Sequence, residues 1–304
     1  MTADGVARAI AILRRGGVVA IPTETVYGLA ADLQNPDAIA RLYALKGRPL
    51  DHPLIVHAHE LAVLPGFVAT VPPALIVLAR NFWPGPLTAV VERGERTPLS
   101  ITGGQETVAV RVPNHPLALA ILAGFGGPLA APSANRFGRV SPTTAQHVRD
   151  EFGAAVELVV DGGPARIGVE STIVDLTSSV PAVLRAGAIT PSQLSAALGA
   201  AVVERSGGTV RTPGTLPAHY APRARVVLVG EGERGAEAER RRAAGERVGM
   251  LVLPNDSAAA ARSLYATLRA LDADGYDTIV ATLPPAGESS AAVRDRLTRA
   301  AALE

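Results

Sequence analysis

The chain has 304 residues, and its length favours two domains over one. Hydrophobic residues make up 48%, charged residues 19% and aromatic residues 4%, which describes a globular protein whose core is built from Ala, Val, Leu and Ile. A net charge of +1 argues against binding nucleic acid by bulk electrostatics, though not against a local basic cleft, and the lack of cysteine excludes disulfides, a thiolate nucleophile and a cysteine metal site.

Residues 1–15 mix Asp and Arg with apolar residues and lack a signal-peptide core. No apolar run reaches the ~18 residues of a membrane span, so a cytoplasmic protein is expected. Strand-length apolar runs then alternate with helix-period segments. The pattern predicts a strand over 18–21 and a helix over 36–46, with Asn35 as N-cap, Pro36 in the first helical position and Gly47 as the stop. Further strands are expected at 54–56, 87–91, 107–112, 156–160, 171–176 and 182–184. Helices are expected at 74–80, 115–123, 143–152 and 191–198. These elements describe an α/β or α+β domain over 1–203.

Residues 204–223 read as a linker, rich in Gly and Pro and without periodicity. From 224 to 304 strand and helix alternate three times: strands at 226–229, 248–253 and 278–283, helices at 237–244, 258–271 and 291–303. That alternation predicts a small parallel, Rossmann-like sheet. Gly230, Gly232 and Gly235 match a dinucleotide fingerprint, but Glu231 and Glu233 would repel a pyrophosphate. A glycine-rich turn is the better account. Arg240, Arg241 and Arg242 sit among Glu237, Glu239 and Glu246, as on a solvated helix face.

Of 29 basic residues, Lys46 alone is lysine. Lysine is a point charge and arginine a planar fork, and the two do not substitute freely at a phosphate. Lys46 and Arg48 flank a predicted helix C-terminus, which suits cations for the macrodipole and equally suits a cationic clamp on a polyphosphate. Pro22 to Gly28 (PTETVYG) follows the first strand and offers hydroxyls, a carboxylate and a phenol at a strand end. In the alternating run 107–112, Thr107 and Arg111 share one face. An arginine there needs an anion, either a ligand carboxylate or an internal Asp or Glu. Small residues around Ser133 and Asn135 would let backbone amides approach a phosphate, and Thr143 reads as a helix N-cap. No serine-hydrolase elbow or tight histidine ligand spacing is present, so no protein metal site is expected.

Taken in order, these stretches resemble the threonylcarbamoyl-AMP synthase family in its two-domain form: PTETVYG at 22–28, KGRPLDHPL at 46–54 with His57, TVAVRVP at 107–113, APSAN at 131–135, Ser141 to Thr143, GVESTIVD at 168–175, LRAG at 184–187 and HYAP at 219–222. The resemblance implies a YrdC-like twisted open sheet with flanking helices, followed by the small domain. It implies a nucleotidyltransferase that converts L-threonine, bicarbonate and ATP, with Mg2+, into L-threonylcarbamoyladenylate and pyrophosphate. A separate machinery then uses the product to make N6-threonylcarbamoyladenosine in tRNA, with no strong direct nucleic-acid binding by this chain. Carried over residue by residue, Thr25, His57, Arg111 and Ser171 would hold threonine, with Ala131 supplying a backbone contact. Arg48, His52, Thr107, Ser133, Ser141 and Arg185 would hold ATP, with Lys46 and Asn135 on its phosphates. Lys46 and Arg48 would be the catalytic cations. Tyr27 and Tyr220 would line the site, and the 219–222 segment would fold over it as a lid. His52 stands where many members carry Asn. Two alternatives are an RNA-binding module of the same fold and a carbamoyl-adenylate enzyme with another acceptor.

Overall fold

A computed structural model describes residues 3–205, 210–214 and 218–302. Parts of the expected linker, 206–209 and 215–217, lie outside the described residues, as does the end of the last expected helix.

The larger unit contains α1 (Ala3–Arg14), β1 (Val19–Ile21), β2 (Gly28–Asp32), α2 (Pro36–Lys46), β3 (Ile55–His57), α3 (Pro73–Phe82), β4 (Leu87–Glu92), α4 (Leu99–Thr102), β5 (Thr107–Arg111), α5 (Pro116–Phe125) and β6 (Leu129–Ala130). It continues with α6 (Ala145–Phe152), β7 (Leu158–Val159), β8 (Thr172–Asp175), β9 (Ala182–Arg185), α7 (Pro191–Leu198) and β10 (Val203–Glu204). Its strands form one mixed sheet in the order β10-β9-β8-β4-β5-β3-β6-β2-β1-β7. In β5 the valines face one way, and Val108 and Val110 join the main core with Leu29, Val56, Leu87 and Val174. Ala109 packs on the other face with Ile55, Val90 and Ile173.

The smaller unit contains β11 (Arg225–Val229), α8 (Arg234–Ala243), β12 (Val248–Met250), α9 (Ser257–Ala273), β13 (Thr278–Thr282) and α10 (Ala291–Ala301). Its three strands are all parallel, and the last one lies in the middle, in the order β11-β13-β12. The two units pack together: Val26, Val140 and Val169 share a cluster with Tyr220, Leu264, Tyr265 and Leu297.

Local chemistry explains most boundaries. Asn35 caps α2 by accepting from the amides of Asp37 and Ala38, and Gly47 closes it at φ 59°. Capping of α6 falls to Thr144 rather than Thr143, because the Thr144 side chain accepts from the His147 amide. The elements of the larger unit that escaped the sequence reading include α1, β2, α4 and β10. Helix α1 buries Ala9, Ile12 and Leu13 against Ile121 and Leu122 of α5. Strand β2 begins at Gly28, at the end of the 22–28 motif. In the smaller unit, the Glu233 carboxylate accepts from the Gly230 amide at 2.9 Å. It closes the glycine-rich turn where a pyrophosphate would otherwise bind.

Candidate active site

Strand order brings distant motifs to one edge. Strands β3 and β5 are parallel and in register, so His57 lies opposite Arg111. The 22–27 segment leaves β1 and returns as β2, and its Tyr27 amide donates to the Pro142 carbonyl. The 131–135 segment leaves β6 alongside it, with Gly28 bridged to Ser133. Between them opens a cleft lined by Thr23, Thr25, Val26, Tyr27, Gly28, Lys46, Arg48, Ile55, His57, Arg111, Ala131, Pro132, Ser133, Asn135, Phe137, Glu170, Arg185, Pro213, Gly214, His219 and Tyr220.

Lys46 is 2% exposed, and its ammonium donates to the carbonyls of Ser133 and Asn135, both at 2.6 Å. It therefore reaches across to the 131–135 segment instead of capping its own helix. Burial, then the neighbouring Arg48 charge, pushes its pKa well below the ordinary lysine value, against a small opposing pull from Glu151. Arg48 donates to the carbonyls of His52 and Pro53, at 3.3 and 2.8 Å, and its guanidinium lies 5.5 Å from the Phe137 ring centroid. Burial lowers its pKa to about 10. Asn135 donates to the carbonyls of Arg136 and Arg139, while its buried Oδ1 accepts nothing among the described residues.

At the other end of the cleft, Arg111 finds its anion inside the protein. Its Nη2 donates to Glu24 Oε1 at 2.8 Å and to Thr25 Oγ1 at 2.9 Å, and its Nε donates to the Gly85 carbonyl. Nη1 carries no protein bond among the described residues. His57 is buried beside it, and burial followed by the Arg111 charge lowers its pKa to about 3. A neutral imidazole therefore faces the cleft across the physiological range.

The structure thus brings Thr25, Tyr27, Lys46, Arg48, His57, Arg111, Ala131, Ser133, Asn135, Arg185 and Tyr220 together around one space. Four expected residues are not among those lining it. Ser141 donates to Glu170 at 2.5 Å. Ser171 shares its hydroxyl with Thr88 and with Arg185 Nη2. His52 stands behind Phe137, ring to ring at 5.0 Å. Thr107 lies at the far end of β5, opposite Glu92.

Sequence reading assigned no role to Glu24, Phe137, Glu170, Tyr265 or Arg296. For Arg296 a signal existed. It falls on the apolar stripe of α10 formed by Val293, Leu297 and Ala300, where a charge requires a buried partner.

An open α/β cleft lined by buried cations at strand ends is the design of an enzyme acting on anionic substrates. Residues 11–187 match a family model, Sua5_yciO_yrdC, described as "Telomere recombination". Residues 189–302 match the one described as "Threonylcarbamoyl-AMP synthase, C-terminal domain". A threonylcarbamoyl-AMP synthase of Pyrococcus abyssi is 39% identical over 96% of this chain and 92% of its own length. One from Bacillus subtilis is 38% identical over 97% and 92%. The crystal structure of P. abyssi Sua5 complexed with L-threonine superposes with a TM-score of 0.92, at 37% identity over 97% of this chain and 94% of that one. The chain belongs to the threonylcarbamoyl-AMP synthase family, in its two-domain form.

Proposed function

We propose that this cleft makes L-threonylcarbamoyladenylate and pyrophosphate from L-threonine, bicarbonate and ATP. The observation that carries this reading is the line of four buried cations, Lys46, Arg48, Arg111 and Arg185, along one cleft whose lining carboxylate is Glu170. Such a surface suits a triphosphate at one end and an amino-acid carboxylate at the other.

Arg111 would take the threonine carboxylate through Nη1, its other donors being held by Glu24, Thr25 and Gly85. His57, kept neutral, adds no charge to repel the threonine amine. Ala131 spends its amide on the Ile55 carbonyl, which leaves its own carbonyl for substrate. Ser171 would act at this end with its hydroxyl held by Thr88 and Arg185. In the reaction the threonine amine bonds to the carbon of bicarbonate and water leaves. The resulting carboxylate then attacks the α-phosphorus, and the bond to pyrophosphate breaks. The barrier is repulsion between anions together with their orientation, so fixed cations and positioning supply most of the catalysis. Lys46 and Arg48 would carry that charge, with Ser133 and Asn135 beside them. His52, Thr107, Ser141 and Arg185 would complete the nucleotide side.

Mg2+ would enter with ATP. The Glu170 oxygens are already occupied by protein donors. The ion would therefore be held by phosphate oxygens and water, its ordinary preference, with Asn135 Oδ1 free to accept from that water.

Residues 1–203 would form the catalytic domain and 224–304 the small domain, with 204–223 the linker that serves as a lid, closing over the cleft during turnover. The lining by Pro213, Gly214, His219 and Tyr220 supports that closure. No helix among the described residues is long and apolar enough to cross a membrane. The product would pass to a cytoplasmic enzyme system that modifies tRNA. Pyrophosphate release from ATP that requires both threonine and bicarbonate is the expected result. Release without either substrate, or none with both, counts against the reading.

A further inference from the structure

Glu170 belongs to the larger unit and Arg296 to the smaller. Arg296 is fully buried on α10, and its Nε donates to Glu170 Oε2 at 2.8 Å. Its Nη2 donates to the Ala186 carbonyl at 3.0 Å, and its guanidinium lies 5.0 Å from the Tyr220 ring centroid. Tyr265 of α9 donates to the same carboxylate and stacks on Tyr220 at 5.8 Å. The carboxylate's other oxygen accepts the Ser141 hydroxyl at 2.5 Å.

Glu170 is therefore saturated with donors. It is unsuited to act as a general base or metal ligand, although it lines the cleft. Arg185 is close by, but its bonds go to Ser171 and to the Pro213 carbonyl. The guanidinium bonded directly to Glu170 comes from the small domain. A buried carboxylate without such a partner would not stay ionised and oriented.

We propose that Arg296 is a positioning residue: by holding Glu170 it fixes the Ser141 hydroxyl and the Tyr220 ring, and so lets the small domain complete the nucleotide side of the cleft. The proposal rests on the reading of that side as the ATP site. It gives the small domain a direct part in ATP affinity and none in threonine affinity, since among the described residues the side-chain hydrogen bonds of Arg111, Glu24 and Thr25 go to neither α9 nor α10.

The test uses the full chain with two changes. Arg296→Met leaves Glu170 unpaired. Arg296→Met combined with Glu170→Leu replaces the ion pair by apolar groups of similar volume, an exchange that buried pairs commonly tolerate. ATP affinity is measured by titration calorimetry without threonine, and KM for each substrate by pyrophosphate release. Both variants are expected to bind ATP about tenfold or more weakly, with the threonine KM changed less than about twofold. ATP binding by the folded double variant within about twofold of the unaltered chain would overturn the proposal, as would an equal rise in both KM values. If the unaltered chain released no pyrophosphate, the functional reading would fail, while calorimetry would still decide the role of Arg296.

Discussion

Arg111 and Glu24 form an ion pair sealed from solvent, with Nη2 2.8 Å from Oε1 and side chains only 5% and 2% exposed. Glu24 also accepts from the Asn114 amide at 3.0 Å. The guanidinium is thus oriented before any substrate arrives, which is what a preorganised carboxylate site requires. Removing one partner strands the other charge, at a cost of about 3–5 kcal/mol. Arg111→Ala should therefore lower the denaturation midpoint as well as threonine affinity. Glu24→Gln keeps one acceptor but turns an NH2 donor towards either Arg111 or Asn114 and leaves the guanidinium without its counter-charge, so it too should lower the midpoint. Urea titration with threonine binding checks both, and an Arg111→Ala protein of unchanged stability would contradict the pairing.

Lys46 sits in a slot shaped for a single point charge between two carbonyls. Lys46→Ala and Arg48→Ala should each cut adenylate formation at least ~100-fold, as loss of a preorganised charge does. Lys46→Arg should fail nearly as badly, because the planar fork is bulkier and cannot place one head between the Ser133 and Asn135 oxygens. Turnover of the three folded variants decides this, and near-normal rates in Lys46→Arg would show that only charge matters there.

Much of this site was legible because its chemistry is written in short ordered stretches. The helix over 36–46 has its cap, proline and glycine in adjacent sequence, and it forms with those bounds. The alternation in 107–111 likewise set the two faces of β5. Glu170 and Arg296 were not legible as partners, because they stand 126 positions apart and their pairing depends on how two units dock. Glu24 lay within a motif already singled out. Its neutralising role, however, needs β1 and β5 at their true separation in space, which local pattern does not supply.

Acid should destabilise the protein in two windows. Burial lowers His57 and His219 to about 3 from an ordinary 6.5. Above pH 6.5 neither the folded nor the unfolded chain binds those protons. Below it the unfolded chain takes them first, so stability falls as pH drops from 6.5 towards 3. Glu170 follows lower down. Burial alone would raise it, but the Arg296 and Arg185 charges hold it at about 2 against an ordinary 4.5, so its contribution is lost between those values. Denaturant midpoints measured from about pH 8 to about pH 4 should decline steadily below neutrality. A flat profile would contradict the buried neutral imidazoles.

Gly214 lies on the linker over the cleft at φ 78°, and a Cβ there would fall 1.9 Å from the Tyr220 hydroxyl. Gly214→Ala should therefore strain the backbone and displace Tyr220. Turnover should fall by about tenfold or more while global unfolding changes little, since the segment is peripheral to the main core. Steady-state kinetics beside thermal unfolding would separate the two. An unfolding loss with intact kinetics would place the role of the linker in stability alone.

Carbon-labelled bicarbonate followed by mass spectrometry tests the central claim most directly. With ATP and L-threonine present, the label should appear in an adenylate that also contains threonine, and Lys46→Ala should abolish it. Pyrophosphate release without labelled adenylate, or label joined to another acceptor, would contradict the assignment of this cleft.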